Sequence, residues 1–292
     1  MKRVLSLLII IFVGQVAWGQ HFHVGSYNIR NANKADEQRG NGWRFRCPGI
    51  CDMIAYEDFD LIGMQEVLKT QLDDLLRSLS DDYAYVGCGR NDGKMEGEYA
   101  PILYRKERFI LLDSGIFWLS STPDTPSVGW DAKYPRICTW IQLQDRTSGK
   151  KLFFLNTHFD HVGKQARIES ARMIVNWIKE RQARNRHAVF ILSGDFNVDQ
   201  RSPSYQELTK GSVLKDSYTV AGVRMAQTGT FNGFDVHCWT DKRIDHILVS
   251  DNIDVLRYGL LTNLYWKTDH AGKCDVRLMS DHFPVSVYLQ IP

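Results

Sequence analysis

Three apolar, strand-like runs in this chain end on polar residues that can do chemistry. Val189 to Ser193 leads into Gly194-Asp195-Phe196-Asn197, Leu152 to Leu155 leads into Asn156-Thr157-His158, and Asp281-His282 stands beside Phe283 to Leu289. A carboxylate, a carboxamide and two imidazoles at strand ends form a set that can activate a water and steady an anion. Glu66 follows Leu61-Ile62-Gly63-Met64 and precedes a helical pattern, which puts its carboxylate at the carboxyl end of a strand. Hard divalent cations prefer such oxygen ligands. Asn28, closing an early strand, can add a carboxamide oxygen or an outer contact, and Asp281 a second carboxylate, so the group suits magnesium or manganese. Protonated imidazoles at His158 and His282 would hold phosphate oxygens or stabilise developing negative charge. Asp245, in Arg243-Ile244-Asp245-His246, can orient one of them. Taken singly, each residue has a plainer reading: Asn28 as a strand-end turn, Glu66 as a helix N-terminal charge, Asp281 as a cap, His246 as a packed structural histidine. His158 and His282 gain weight from their company.

Short strand-like runs must carry these residues. They recur at Val24 to Ile29, Leu61 to Met64, Ile102 to Tyr104, Phe109 to Leu112, Ile137 to Leu143, Leu152 to Leu155, Val189 to Leu192, Ile244 to Val249 and Val285 to Ile291. Ile168, Ala171, Ile174, Val175 and Ile178 repeat at helical spacing, predicting a helix over Lys164 to Arg181, and a second is expected over Leu68 to Leu79. So many strands beside helices imply a mixed α/β domain with two packed sheets covered by helices. Sheet order is not legible.

Lys2, Arg3, the apolar run Val4 to Val13 and Ala17-Trp18-Gly19 read as a signal peptide of residues 1–19, too short to span a bilayer and not followed by cysteine. Its loss takes the 36 Lys+Arg to 34, equal to the 34 Asp+Glu. A neutral mature chain argues against a protein that grips duplex nucleic acid through a broad basic face. Residues 20–292 contain no linker, charge block or short repeat, so one domain is expected. Six widely spread cysteines lack metal-site spacing; Cys238 and Cys274, both in polar segments, are the candidate disulfide, with free thiols as the alternative.

Six elements in order resemble the endonuclease/exonuclease/phosphatase superfamily: Ser26-Tyr27-Asn28, Gln65-Glu66, Asn156-Thr157-His158, Gly194-Asp195-Phe196-Asn197, Arg243-Ile244-Asp245-His246 and Ser280-Asp281-His282-Phe283-Pro284. Gly115-Ile116-Phe117-Trp118-Leu119-Ser120, Pro135-Arg136-Ile137-Cys138-Thr139-Trp140 and Asn156-Thr157-His158-Phe159-Asp160-His161 look like an exported bacterial subgroup. The resemblance implies a four-layer α/β sandwich, two packed mixed β-sheets flanked by helices, with a pocket at one edge of the sheets. It makes Glu66 the main metal ligand, with Asn28 and Asp281 near the metal. Asp195 and Asn197 would position and activate water, His158 and His282 would bind phosphate, and Asp245 would orient His282. Asp195 stands either as general base or as orienting group. Tyr104 matches a strand-end tyrosine that contacts phosphate in some branches. Arg136 is a candidate phosphate anchor, because guanidinium grips two oxygens, or else a surface ion-pair partner. Asp160 and His161 belong to the same rim or to a surface loop. His246 departs from the family, where tyrosine is commoner.

The implied activity is that of an exported, periplasmic or extracellular, magnesium-dependent phosphoesterase (manganese as the alternative ion) using in-line attack of water. Family breadth favours a phosphodiesterase acting on RNA or DNA, followed by phospholipid or sugar-phosphate esters; a non-catalytic phosphate-binding module is the contrasting class. The polar loops Gly87 to Tyr99 and Trp266 to Arg277 are expected to set specificity. No protein partner is inferred, and a monomer is expected.

Overall fold

The computed structural model describes residues 20–211, 213–268 and 272–291; the expected leader, residues 1–19, lies outside the described residues. Two β-sheets face each other. One has seven strands in the order β10 (Val223–Met225), β12 (Asp254–Leu260), β15 (Val285–Ile291), β1 (Gln20–Asn28), β2 (Leu61–Gln65), β4 (Ile102–Arg105) and β3 (Tyr83–Val86). The other has six: β5 (Phe109–Trp118), β6 (Ile137–Asp145), β7 (Lys151–His158), β8 (Val189–Asp195), β11 (Asp245–Val249) and β9 (Lys215–Asp216). Both are mixed, since β1–β2 and β7–β8 run parallel while β1–β15 and β8–β11 run antiparallel. Helices α2 (Trp43–Glu57) and α3 (Lys69–Leu79) cover the first sheet, and α4 (Lys164–Arg184) with α5 (Pro203–Thr209) covers the second. This is the four-layer α/β sandwich. Two short helices, α1 (Lys34–Gln38) and α6 (Ser217–Val220), and a hairpin of β13 (Leu264–Thr268) and β14 (Cys274–Leu278) complete it. No helix among the described residues is long and apolar enough to cross a membrane.

Strand periodicity explains both the core and the site. Alternate residues of a strand face opposite sides. Phe22 and Val24, Leu61, Leu152 and Phe154, Val189 and Ile191, and Ile247 and Val249 all enter the core between the sheets. Their intervening neighbours, among them Tyr27, Ile62, Met64, Leu155, Phe190, Leu192 and Leu248, pack under the helices. Continued along the inner face, the same alternation reaches Ser26 and Asn28, Gly63 and Gln65, Asn156 and His158, and Ser193 and Asp195. The space between the sheets is therefore apolar at one end and polar at the other. At the boundary the sheets approach closely: a Cβ on Gly63 would lie 2.2 Å from Ser193 Oγ and 2.6 Å from Asn156 Oδ1. Asn156 bridges the sheets, donating to the Met64 carbonyl at 2.7 Å and accepting from Gln65 Nε2 at 2.7 Å and Ser193 Oγ at 3.0 Å.

The structure corrects several expectations. Tyr104 is not at the polar end: β4 runs antiparallel to β2, pairing Ile102 with Gly63 and Tyr104 with Leu61, so the ring joins the apolar core between the sheets. The segment Trp266 to Arg277, expected as a loop, lies largely in the β13–β14 hairpin. The Phe109 to Leu112 run continues to Trp118, past a register shift between Leu111 and Asp113. Helix α2 had no visible apolar stripe, diluted as it is by Arg44, Arg46, Cys47, Pro48 and Gly49. All six cysteines are free thiols, so Cys238 and Cys274 are not paired.

Candidate active site

At the polar end, strand register alone aligns three groups of the second sheet. Asp195 closes β8 and faces His158 across the parallel β7 pair and Asp245 across the antiparallel β11 pair. The first sheet supplies Asn28 at the end of β1, Glu66 just after β2, and Asp281 and His282 just before β15. Asn28 joins the sheets, its Nδ2 donating to Glu66 Oε1 at 3.1 Å and Asp195 Oδ2 at 3.0 Å. Buried Arg46 fixes the connecting segments by donating to the carbonyls of Ile29, Arg30, Asn41 and Met279. Arg30 (φ 57°), Glu66 (φ 60°) and Asn197 (φ 53°) all sit in the left-handed region. Such backbone is costly for side chains without a local reason and clusters where function fixes geometry.

The two histidines carry different charges. Burial alone would push the His282 ring down, but Asp245, bonded to Nδ1 at 2.9 Å, and Asp195, with an oxygen 3.8 Å from Nε2, overcome it and raise its pKa to about 10. His282 is therefore a cation at neutral pH. His158 is held well below its ordinary value, first by burial and then by the neighbouring charges of Arg136 and Arg90. The expectation of two protonated imidazoles is thus corrected to one. Asn197 fixes the neutral tautomer: its Nδ2 donates to the Phe159 carbonyl at 2.9 Å and to His158 Nε2 at 2.9 Å, so the ring proton belongs on Nδ1. Asp195 lies between the rings, with an oxygen 3.6 Å from His158 Nε2. Burial first, and then the charge of Asp245, raises its pKa to about 7.

The opposite wall is a bed of guanidinium groups. Arg136 is buried, pairs through Nε with Asp160 at 3.3 Å and approaches His161 Nδ1 at 3.1 Å, while its Nη1 has no protein partner. Arg90 pairs with Glu98 at 2.6 Å and leaves its Nε unpartnered. Burial raises the Glu98 carboxyl pKa, Arg90 opposes that rise, and Glu66 adds to it. Asp160 is no rim residue: it is buried, takes the N–H groups of Val162 and Gly163 at 2.9 and 2.8 Å, and braces Arg136 from behind. Arg136, Arg90, Glu98 and His161, with Asp195, His158 and His282, line a cleft of about 690 Å³ whose mouth carries Tyr134, Phe231 and Phe234. Phe231 lies edge-on to His282 at 5.0 Å.

A model of the Endonuclease/Exonuclease/phosphatase family matches residues 25–282. The chain belongs to this family. It is similar to a family protein from Bacteroides thetaiotaomicron, 46% identical, with a TM-score of 0.91 over 94% of this chain and 99% of that one. It resembles the mannosyl-6-phosphatase of the same organism at 47% identity and TM-score 0.88, covering 92% of this chain and 99% of that one. A Bacteroides vulgatus family structure is 36% identical with TM-score 0.83, covering 94% of this chain and 100% of the other. Endonuclease/exonuclease/phosphatase enzymes are metal-dependent phosphoester hydrolases, and so is this chain.

Within this family member, the carboxylates of Glu66 and Asp281 fit a hard divalent cation. Both are buried, and burial, then Glu66, pushes the Asp281 carboxyl up, with His282 opposing between them in strength. A half-buried Arg30 guanidinium stands 3.9 Å from Glu66 and 3.5 Å from Asp281, compensating charge that a smaller cation would neutralise at closer range. Asn28 turns its N–H, not its oxygen, to the carboxylates, because Oδ1 accepts from the Arg30 backbone N–H at 3.0 Å. As placed it braces the carboxylates and does not ligate. Asp195, Asp245 and His282 also bring ligand atoms within 4.8 Å of one another, but an ion there would need a ring nitrogen stripped of its proton, and the His282 cation carries one on each. We expect Glu66→Gln to raise the metal concentration for half-maximal activity by about tenfold or more, since a charge-assisted contact is lost. Superimposable metal titrations of folded wild type and variant would refute the assignment.

Sequence reasoning missed Arg30, Asn31, Arg46, Arg90 and Glu98. Asn31 donates twice to Glu66 Oε2, at 3.1 and 3.0 Å, and once to Glu98 at 3.1 Å. Arg30 and Asn31 lie two and three residues beyond Asn28, so proximity to that motif was their signal. Arg90 and Glu98 lie in the Gly87 to Tyr99 loop already marked for specificity, but only folding chooses them over its other polar residues. His246 packs on Phe196 at 5.2 Å and bonds Asp216 at 3.2 Å, a structural role.

Proposed function

We propose that this protein is an exported, magnesium-dependent phosphatase that hydrolyses a phosphate monoester on a sugar. The observation carrying this reading is the pair of buried guanidinium groups, Arg90 and Arg136, each with an unpartnered N–H, in one cleft with cationic His282. A terminal phosphate presents more charge and more bare oxygens than an internal diester, and such a wall suits it. The 47% identity to a protein named mannosyl-6-phosphatase supports the sugar. This reverses the preference for diesters, which rested on family breadth. The leader-like start of the chain motivates export.

In this reading Arg136, Arg90 and His282 seat the phosphate. Asn197 Oδ1, without a partner among the described residues, and the Asp195 carboxylate hold the attacking water, and Asp195 takes its proton as the new P–O bond forms and the bond to the sugar oxygen breaks. Asp245 keeps His282 charged and oriented. A magnesium ion held by Glu66 and Asp281 would polarise the phosphate and offset charge on the leaving oxygen.

The deciding experiment compares kcat/KM for mannose 6-phosphate, a bis-aryl phosphodiester, single-stranded RNA and single-stranded DNA under one magnesium concentration. The sugar monoester should lead by at least about tenfold, and a nucleic acid in first place would overturn the reading. A nuclease is the second reading, favoured by Phe231 and Phe234 at the mouth, where bases can stack.

Arg136→Lys should raise KM by about tenfold, the scale of a lost charged hydrogen bond, because an ammonium cannot replace both the Asp160 contact and the free Nη1. Arg136→Ala should raise it further. Superimposable saturation curves for the three proteins would remove Arg136 from the phosphate seat.

A further inference from the structure

A second groove, of about 590 Å³, lies on the opposite flank of the second sheet, between α4, β5 and the connector that follows β5. Helix α4 buries Ile174, Val175 and Ile178 against the sheet, which leaves Asn176 and Trp177, with Glu180 four and three positions beyond them, as a separate stripe along the groove. Gly115 and Trp140 are cross-strand partners, and a Cβ on Gly115 would stand 2.8 Å from the Trp140 indole. Glycine thus lets Trp140 lie across β5, where it meets Trp177 at 5.2 Å. Trp130 completes the rim. It is 43% exposed, sits at φ 48°, a backbone that a bulky residue rarely adopts, and its indole N–H bonds no described residue.

The polar groups of the groove restrict its occupant. The side chains of Asp124, Asn176 and Glu180 make no hydrogen bond within the described residues. Three carboxylates, those of Asp124, Glu169 and Glu180, line the groove with one guanidinium, Arg172, itself paired to Glu169 at 2.8 Å and to Glu207 at 3.2 Å, while a second, Arg181, is packed over the Trp177 ring at 3.3 Å, leaving the carboxylates in excess. That balance repels phosphate, so the groove is no extension of the catalytic cleft's chemistry. A wholly apolar ligand would desolvate the carboxylates without replacing their hydrogen bonds with water. A pyranose ring satisfies both halves, laying its C–H face on indole and giving its hydroxyls to carboxylate and amide.

We propose that this groove binds a neutral saccharide, with Trp130 as platform and Asn176 and Glu180 as hydroxyl partners. The inference does not rest on the reading of the cleft. One connector carries Trp130 into the groove and Tyr134 and Arg136 into the cleft, so the two sites are joined through a single segment of chain.

The test is titration of the full chain, by tryptophan fluorescence and calorimetry, with soluble mannan, dextran and methyl α-mannoside, in saturating inorganic phosphate. We expect at least one to bind despite the phosphate. Trp130→Ala should weaken binding about tenfold, the scale of one aromatic contact, and Asn176→Ala several-fold, about the worth of one hydrogen bond. Hydrolysis of a small aryl phosphate should be unchanged in both. Asn176 is exposed, so its variant decides the matter if Trp130→Ala fails to fold. Absence of saccharide binding, binding abolished by phosphate, or wild-type affinity in the folded variants would each overturn the proposal.

Discussion

Asp195→Asn is expected to lower turnover by at least about a hundredfold, the lower range for loss of a general base, while leaving the fold intact. The Asp195 carboxylate lies between both histidines and Asn28, and its pKa of about 7 suits proton transfer near neutrality. Wild-type kcat/KM should therefore rise as pH passes through about 7, and the variant should lack that limb. Stability gives a second readout. The folded pKa is raised, so the contribution of this group is fully present below its ordinary carboxylate range and is lost as pH rises through about 7. In chelator, the asparagine variant should then melt above wild type at pH of about 8 and draw level near pH of about 4. Single-turnover rates within about threefold of wild type would exclude Asp195 from proton transfer, since that role carries a larger factor.

Asp245→Asn should cost about a hundredfold in turnover through a different route, by removing electrostatic support from the cation at the phosphate. Asp245 makes the 2.9 Å bond to His282 Nδ1 and is the strongest of the groups that raise this imidazole to about 10. Without it, burial wins and the ring loses its proton at lower pH. The falling limb of the activity profile should move from near 10 toward neutrality. The folded pKa of His282 is raised, so its stabilisation is fully present below the ordinary imidazole value and is lost as pH rises through about 10. Wild type should exceed the variant in denaturant resistance at pH of about 6 to 8, and the gap should narrow above pH of about 10. An unmoved falling limb in a folded variant would sink the claim that Asp245 holds the charge on His282.

The layers of the fold and the candidate residues of the site are written in local sequence patterns. Period-two strands, the α4 pattern and polar residues at strand ends are local properties, so the two-sheet architecture and the candidacy of Glu66, His158, Asp195 and His282 were legible before folding, and the family resemblance implied that they share a site. Which strand ends meet depends on strand order and direction, and these are set by contacts between distant segments. Tyr104 shows why: strand direction, invisible in a run of four residues, sends it to the apolar end of the sandwich. Asn156 shows it again, since the polar residue beside His158 bridges the sheets and never reaches the cleft. Protonation was decided there as well, because a histidine's charge depends on burial and neighbours from distant segments. His282 keeps its proton through Asp245, whereas His158 loses it to burial and two arginines, one of them from a loop with no strand pattern at all.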